Sequence, residues 1–351
     1  VAHIEFVDQT VRDGPQSLWG FKISCGQIQP AAAQLDNTGF RAVEVLASAT
    51  ERVLRENKWE RFDAIRTMLP KSRLRRAMIA AGPGIMAGTP DCITDLNLAL
   101  YRKHGIDEIW ILDCLYDMAR MERSCRSAAA AGLSVLPAIM FGDAPSLTDE
   151  FYAATVRTFV SWGIADAIFV EDAPGIMRPE RARTLLPAIV EAAGGLPVEL
   201  HCHNTTGLAP LNYLEGINAG VRVLHTAGGP MANGGSLPST EMTVSNLEWL
   251  GHTHSLDTSQ FAPVAEHFTK VARQEDLPVG VPVEYDVGVY QHQIPGGMMG
   301  SLRRQLAEHH MSDRLAEALR EVPRVRADLG QPVMATPYSQ YMGIQAVLNV
   351  I

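Results

Sequence analysis

The chain has 351 residues, 46% hydrophobic and 20% charged, a composition that can bury a full core and is not that of a disordered or low-complexity protein. Thirty Lys and Arg against 39 Asp and Glu leave a formal charge of -9, which offers no footprint for a nucleic-acid backbone or an anionic membrane. No apolar run approaches the roughly 20 residues of a membrane span, and Val1-Ala2-His3-Ile4-Glu5 lacks the basic and apolar stretches of a signal peptide, so a soluble, cytoplasmic protein is expected.

Along the chain, short β-rich runs recur, each followed by a turn signal and a longer amphipathic or Ala-rich stretch. The runs are His3 to Asp8, Ala42 to Ala47, Arg73 to Ala80, Glu108 to Cys114, Ser134 to Met140, Ala167 to Asp172, Pro197 to His203 and Arg222 to Thr226. Between them lie helix-like segments such as Asp149 to Trp162 and Pro179 to Ala193, the latter opening on proline and closing at Gly194-Gly195. Eight βα units without a Gly-rich dinucleotide loop after the first strand predict an α/β fold, a TIM (β/α)8 barrel over residues 1–257. Beyond Asp257 the alternation stops, and residues 258–351 read as a helical subdomain over the barrel mouth, interrupted by Gly/Pro islands at 291–298 and 336–340. The five cysteines are odd in number, form no C-x-x-C pair and read as buried thiols, and Met298-Met299 reads as packing.

Chemistry in such a barrel gathers at the C-terminal strand ends. The first run leads into Asp8-Gln9-Thr10-Val11-Arg12-Asp13-Gly14-Pro15-Gln16-Ser17, the fourth ends near Asp113, the sixth on Glu171-Asp172 and the seventh on His201-Cys202-His203. Strand alternation points His201 and His203 the same way and Cys202 the other. Two imidazoles with a carboxylate from another strand end suit a divalent transition metal, Zn²⁺, Mn²⁺ or Co²⁺, with positions left open for substrate or water. Glu171 either binds that ion or orients a ligand. Asp113 is either a catalytic carboxylate or a buried charge paired with Arg12.

With these residues assembled, the chain resembles the metal-dependent barrel superfamily of 3-hydroxy-3-methylglutaryl-CoA lyase, isopropylmalate synthase and the carboxyltransferases of biotin-dependent carboxylases. The stretch Asp8-x-Thr10-x-Arg12-Asp13-Gly14-x-Gln16-Ser17 is most similar to the carboxyltransferase version. So are His292-Gln293-Ile294-Pro295-Gly296-Gly297-Met298 and Thr336-Pro337-x-Ser339-Gln340-x-x-Gly343, which resemble segments of pyruvate carboxylase, oxaloacetate decarboxylase and the transcarboxylase central subunit. The resemblance implies Asp13, His201 and His203 as metal ligands, and Arg12 with Gln16 as holders of the acceptor's oxygens. It also implies biotin carried on a separate protein, with biotin carboxylase and biotin carboxyl carrier subunits as partners in a homodimer or larger complex.

The chain departs from that pattern at three places. Glu171 stands where carboxyltransferases have a lysine that becomes carbamylated and completes the metal shell, and is expected to take over that role. Gly235 stands where a threonine shuttles a proton, leaving Ser236 as the nearest hydroxyl, with Thr240 beyond it. Ala80 or Ala81 stands where an arginine clamps pyruvate. The expectation is therefore carboxyl transfer to a small ketone-type acceptor other than pyruvate. The alternatives are a biotin-independent lyase, aldolase or decarboxylase working through an enolate, and a non-catalytic scaffold, which the intact Asp13, His201 and His203 disfavour. The lyase branch's catalytic cysteine is Gly229 here.

Overall fold

The computed structural model describes residues 1–46, 51, 53–80 and 90–351. Eight parallel strands close into a barrel in chain order: β1 (Glu5–Asp8), β2 (Ala42–Glu44), β3 (Leu74–Ile79), β4 (Glu108–Leu112), β5 (Ser134–Met140), β6 (Ile168–Asp172), β7 (Val198–Cys202) and β8 (Val223–Thr226). β1 closes the ring, pairing through Val7 with Ala42 of β2 and through Glu5 with Val223 of β8. Every strand lies inside its expected run. The overshoot is at the ends: His3 makes only an isolated bridge to Thr253, and Ala47 lies outside the described residues. Helices return between strands as expected, Asp149–Ser161 opening on a Thr148 side chain that accepts from the Phe151 N–H, and Pro179–Ala192 starting on proline.

The pleat sorts each strand's side chains into two environments. On β7, Val198, Leu200 and Cys202 pack outward with Leu185, Leu186 and Ile189 of the helix ring. Glu199 and His201 turn to the axis, where the lower barrel is filled with charge. Arg75 of β3 pairs with Glu108 at 2.7 Å and with Glu199, and His225 of β8 is 3.0 Å from Glu199. Buried ions of this kind persist only when paired. Beside them the interior is apolar, with Trp110 and Phe169 stacked at 4.3 Å between ring centroids.

Val333 and Ala335, from beyond the barrel, join the cluster of Trp110, Leu136, Met140 and Phe169, so the C-terminal region covers the mouth as expected. Its boundary differs from the expected one. Helix Phe261–Gln274 buries Val264, Phe268, Val271 and Ala272 in the barrel's outer core, whereas Gly296–Glu308, Leu315–Asp328 and Tyr338–Val350 build a separate core around Leu302, Leu306, Val322, Met342 and Ala346. The change of core comes between Val289 and Ile294, not at Asp257, because the first helix's apolar stripe is matched to the barrel. Met298 and Met299 pack in the second core. Of the cysteines, all free, Cys114, Cys125 and Cys202 are buried; Cys25 is half-buried and Cys92 exposed, which corrects the expectation for those two. No helix among the described residues is long and apolar enough to cross a membrane.

Candidate active site

Asp13 reaches the barrel mouth through a tight turn after β1, in which the Gly14 N–H donates to the Gln9 carbonyl, and it opens the short helix Asp13–Leu18. A Cβ on Gly14 would stand 2.5 Å from the Met231 Cβ, so glycine lets this turn press against the loop after β8. From β7, His203 donates Nδ1–H to the Gly235 carbonyl at 2.7 Å and aims Nε2 at Asp13 Oδ1, 3.5 Å away. His201 puts Nδ1 3.3 Å from His225 Nδ1, and its Nε2 has no hydrogen-bond partner. One donor atom from each of Asp13, His201 and His203 lies within 4.8 Å of the others, and all three residues are buried. A buried, orphaned imidazole nitrogen facing a carboxylate and a second imidazole is a donor set that fits a divalent metal ion.

The charges of these groups follow this geometry. Burial alone would raise the Asp13 carboxyl, but His203 and Arg12 hold it well below the usual carboxylate range. Burial disfavours the His203 imidazolium, yet the Asp13 carboxylate outweighs it and brings the group to about 9. His201 is driven well below its ordinary value by burial and by the Arg12 charge, so it is neutral. Burial pushes Glu171 up to about 7. The β6–β7 register sets Glu171 beside His201, with Oε1 3.8 Å from Nε2.

Arg12 lies at the cluster's edge, held by Asp13 at 3.2 Å, by Glu44 at 2.8 Å and by the Gln9 Oε1 at 2.9 Å, with its guanidinium 5.7 Å from the Trp110 ring. Its Nη2 finds no partner among the described residues. A cavity of about 590 Å³ opens over these groups. Arg12, Gln16, Ser17, Trp110, Glu171 and His203 line it from the barrel, and Met298, Arg304, Thr336 and Gln340 from the C-terminal subdomain.

The structure thus brings Asp13, His201, His203, Glu171, Arg12 and Gln16 to one site. It does not bring Asp113 there. That carboxylate accepts from the Leu115 N–H, forms no ion pair with Arg12 and does not line the cavity, because it follows Leu112 of β4, whose side chain takes the inward position. Ser236 is buried beneath Asp13, with Oγ 3.4 Å from Oδ2, and is likewise not on the cavity wall; Thr240 is hydrogen-bonded to Thr226. The hydroxyl that both lines the cavity and touches Asp13 is Ser17, at 3.3 Å. Sequence reasoning gave no role to Ser17, Gln9, Glu44 or His225. A glutamate between Val43 and Val45 in an otherwise apolar strand was the one available signal.

The HMGL-like family model matches residues 3–267, and the conserved carboxylase domain matches residues 289–351. The chain belongs to the HMGL-like family. It is 34% identical to the B subunit of pyruvate carboxylase from Methanocaldococcus jannaschii, over 99% of this chain and 62% of that one. To the 2-oxoglutarate carboxylase large subunit of Hydrogenobacter thermophilus it is 32% identical, over 99% and 54%. To the methylmalonyl-CoA carboxyltransferase 5S subunit of Propionibacterium freudenreichii subsp. shermanii it is 30% identical, over 99% and 70%. The solved carboxyl transferase domain of Rhizobium etli pyruvate carboxylase with pyruvate superposes with a TM-score of 0.92 at 26% identity, covering 100% of this chain and 61% of that one. The chain spans 62% of the length of the two pyruvate carboxylase B subunits that it matches.

Proposed function

We propose that the chain is the carboxyltransferase component of a biotin-dependent carboxylase. The observation that carries this reading is the cluster of Asp13, His201 and His203, with its orphaned Nε2, which reaches through His203 the wall of a cavity that residues of the conserved carboxylase domain also line. Asp13, His201 and His203 would hold a divalent ion, joined by Glu171 directly or through water in place of a carbamylated lysine. When bound, the ion supplies Lewis acidity to the acceptor's carbonyl, and carboxybiotin on a carrier subunit supplies the carboxyl group. The chain's own residues do the rest. Arg12, held by Glu44 and Gln9 on the cavity wall, would bring its fixed positive charge to the developing enolate oxygen, and such preorganised groups are worth most in a desolvated site. Gln16 and Ser17 bound the acceptor's side of the cavity.

The acceptor is the finer question. The reading of a ketone other than pyruvate rests on the alanine after β3. Ala80 packs in the outer core, Ala81 lies outside the described residues, and Arg12 is already matched by two carboxylates. The relatives named for pyruvate and 2-oxoglutarate carboxylation weigh toward 2-oxo acids, so both classes belong in the assay. With biotin carboxylase and carrier subunits, bicarbonate and ATP supplied, turnover should be seen with a simple methyl ketone and be negligible with pyruvate; the reverse order refutes the ketone reading while leaving the carboxyltransferase one standing. A second reading, a biotin-independent lyase, is favoured by one observation: a Cβ on Gly235 would be 3.0 Å from the Gly296 Cα, so no shuttling hydroxyl fits there. Enolate-forming activity without any biotinylated partner would establish that reading instead.

A further inference from the structure

His225 lies one strand away from the metal cluster, wholly buried, and nothing in the reading above uses it. Its Nδ1 is 3.3 Å from His201 Nδ1, and its Nε2 is 3.0 Å from Glu199 Oε2. The protonation pattern of this chain of contacts follows from the hydrogen bonds around it. Gln9 accepts through Oε1 from the Arg12 Nε–H at 2.9 Å and donates through Nε2 to Glu44 at 2.7 Å, so both ends of its amide are fixed by partners that allow only one orientation. The same Nε2 lies 3.0 Å from His225 Nδ1. An amide nitrogen can only donate, so His225 Nδ1 is an acceptor. Its proton is then on Nε2, facing the Glu199 carboxylate, which Arg75 keeps in place from the other side. The Arg75 Nη1 contact to that nitrogen is longer, at 3.4 Å, and this nitrogen also has Glu199 to donate to.

With His225 Nδ1 restricted to accepting, His201 must offer Nδ1–H, and its lone pair is left on Nε2, the orphaned atom that faces Asp13 and His203. We propose that His225 is a positioning residue: together with Glu199 it locks His201 in the Nδ1–H tautomer and fixes the imidazole plane, so that Nε2 is presented to a divalent cation. The two ligand histidines are therefore backed differently, His203 by a main-chain carbonyl and His201 by a side-chain relay from Glu199 through His225. This inference rests on the metal site proposed above, and partners of this kind affect metal affinity by about 10–100-fold.

The test is metal binding rather than turnover. Zn²⁺ and Co²⁺ affinities are measured by competition with a chromophoric chelator for the wild type, His225→Phe, His225→Asn and His201→Ala, with folding checked by circular dichroism. His225→Phe keeps most of the ring volume and removes the acceptor, while Glu199 retains Arg75; affinity should fall about 10–100-fold. His225→Asn places an amide oxygen near the Nδ1 position, and should recover most of that loss. The absorption bands of bound Co²⁺ should shift in His225→Phe and return in His225→Asn. If the wild type binds no ion, the metal-site reading itself fails. If the wild type and His225→Phe bind equally well, only the role of His225 fails. Should His225→Phe not fold, ¹⁵N NMR of His201 in the metal-free wild type decides: a proton on Nδ1 supports the relay, and a proton on Nε2 overturns it.

Discussion

Arg12 illustrates how much a single side chain is asked to do at this site. Glu44, Gln9 and Asp13 take up Nε and Nη1, leaving Nη2 as the free donor. A lysine could keep the charge, but not the planar fork that satisfies three neighbours and still offers a fourth hydrogen bond. Arg12→Lys should therefore retain the metal, measured by elemental analysis, while turnover falls on the order of 10²-fold, the usual cost of losing one preorganised donor. Loss of metal together with activity would mean that Arg12 holds the ion's ligands rather than the substrate. His201→Ala should behave oppositely and lose the ion outright. The sequence exposed Arg12 and Asp13 because they are polar residues at a strand end. Gln9, Glu44 and His225 were not legible in the same way: each matters through a partner 24 or more positions away, brought near only when the barrel closes. Asp113 failed for the converse reason. It is polar and near a strand end, but it follows an inward-facing residue and is spent on its own turn.

At the scale of elements, the join between barrel and C-terminal helices rests on glycines. A Cβ on Gly296 would come 2.4 Å from the Gly235 Cα, a clash with backbone that neither partner can relieve by a rotamer change. At Gly297 the nearest atom is the Ser17 Cα at 3.3 Å, and at Gly300, on the same helix, nothing lies within 4 Å. The three positions form a graded series. Gly296→Ala should lower the thermal unfolding midpoint most, by an overpacking cost of about 1–3 kcal/mol. Gly297→Ala should cost less, and Gly300→Ala should be neutral or stabilising, because it removes a flexible residue from a helix interior. Midpoints in any other order would separate the join from these contacts. The same join shows why the subdomain boundary was misplaced in sequence. Helices Phe261–Gln274, Gly296–Glu308 and Leu315–Asp328 are all amphipathic, and periodicity identifies a buried stripe without saying which core buries it. β4 and β5 were legible because burial on both faces writes them as nearly continuous apolar runs, whereas β3 and β7 carry the inward-facing Arg75 and Glu199 among their apolar residues.

For the whole molecule, the buried titratable groups set how stability varies with pH when no metal is bound. Burial raises Asp8 and Glu171 to about 7 and Asp172 to about 6. Each stays protonated in the folded chain while the unfolded chain ionises near pH 4, so each favours folding less as pH climbs from about 4 to about 7. His203, brought to about 9 by Asp13 against the effect of burial, keeps its proton when folded and sheds it near 6.5 when unfolded, so its contribution is complete below 6.5 and lost toward 9. Asp13 and Glu199 are shifted the other way, and their contributions are already complete above about pH 5 and fade only in acid. Between pH 5 and about 6.5 the terms oppose one another, because burial holds His201, His225 and His292 below the ordinary histidine value and these favour folding more as pH rises toward 6.5. From pH 7 to 9 the moving terms have one sign, and the chelated protein should show a urea midpoint that falls over that range. Saturating Zn²⁺ should offset the fall increasingly as pH rises, since the cation takes the place of protons on the ligands. Asp8→Asn keeps the uncharged hydrogen-bonding shape beside Thr10 and should raise stability at pH 8 by on the order of 1–3 kcal/mol while changing little at pH 4. A chelated midpoint that is flat or rises from pH 7 to 9 would show that His203 does not keep its proton against Asp13 in the folded chain.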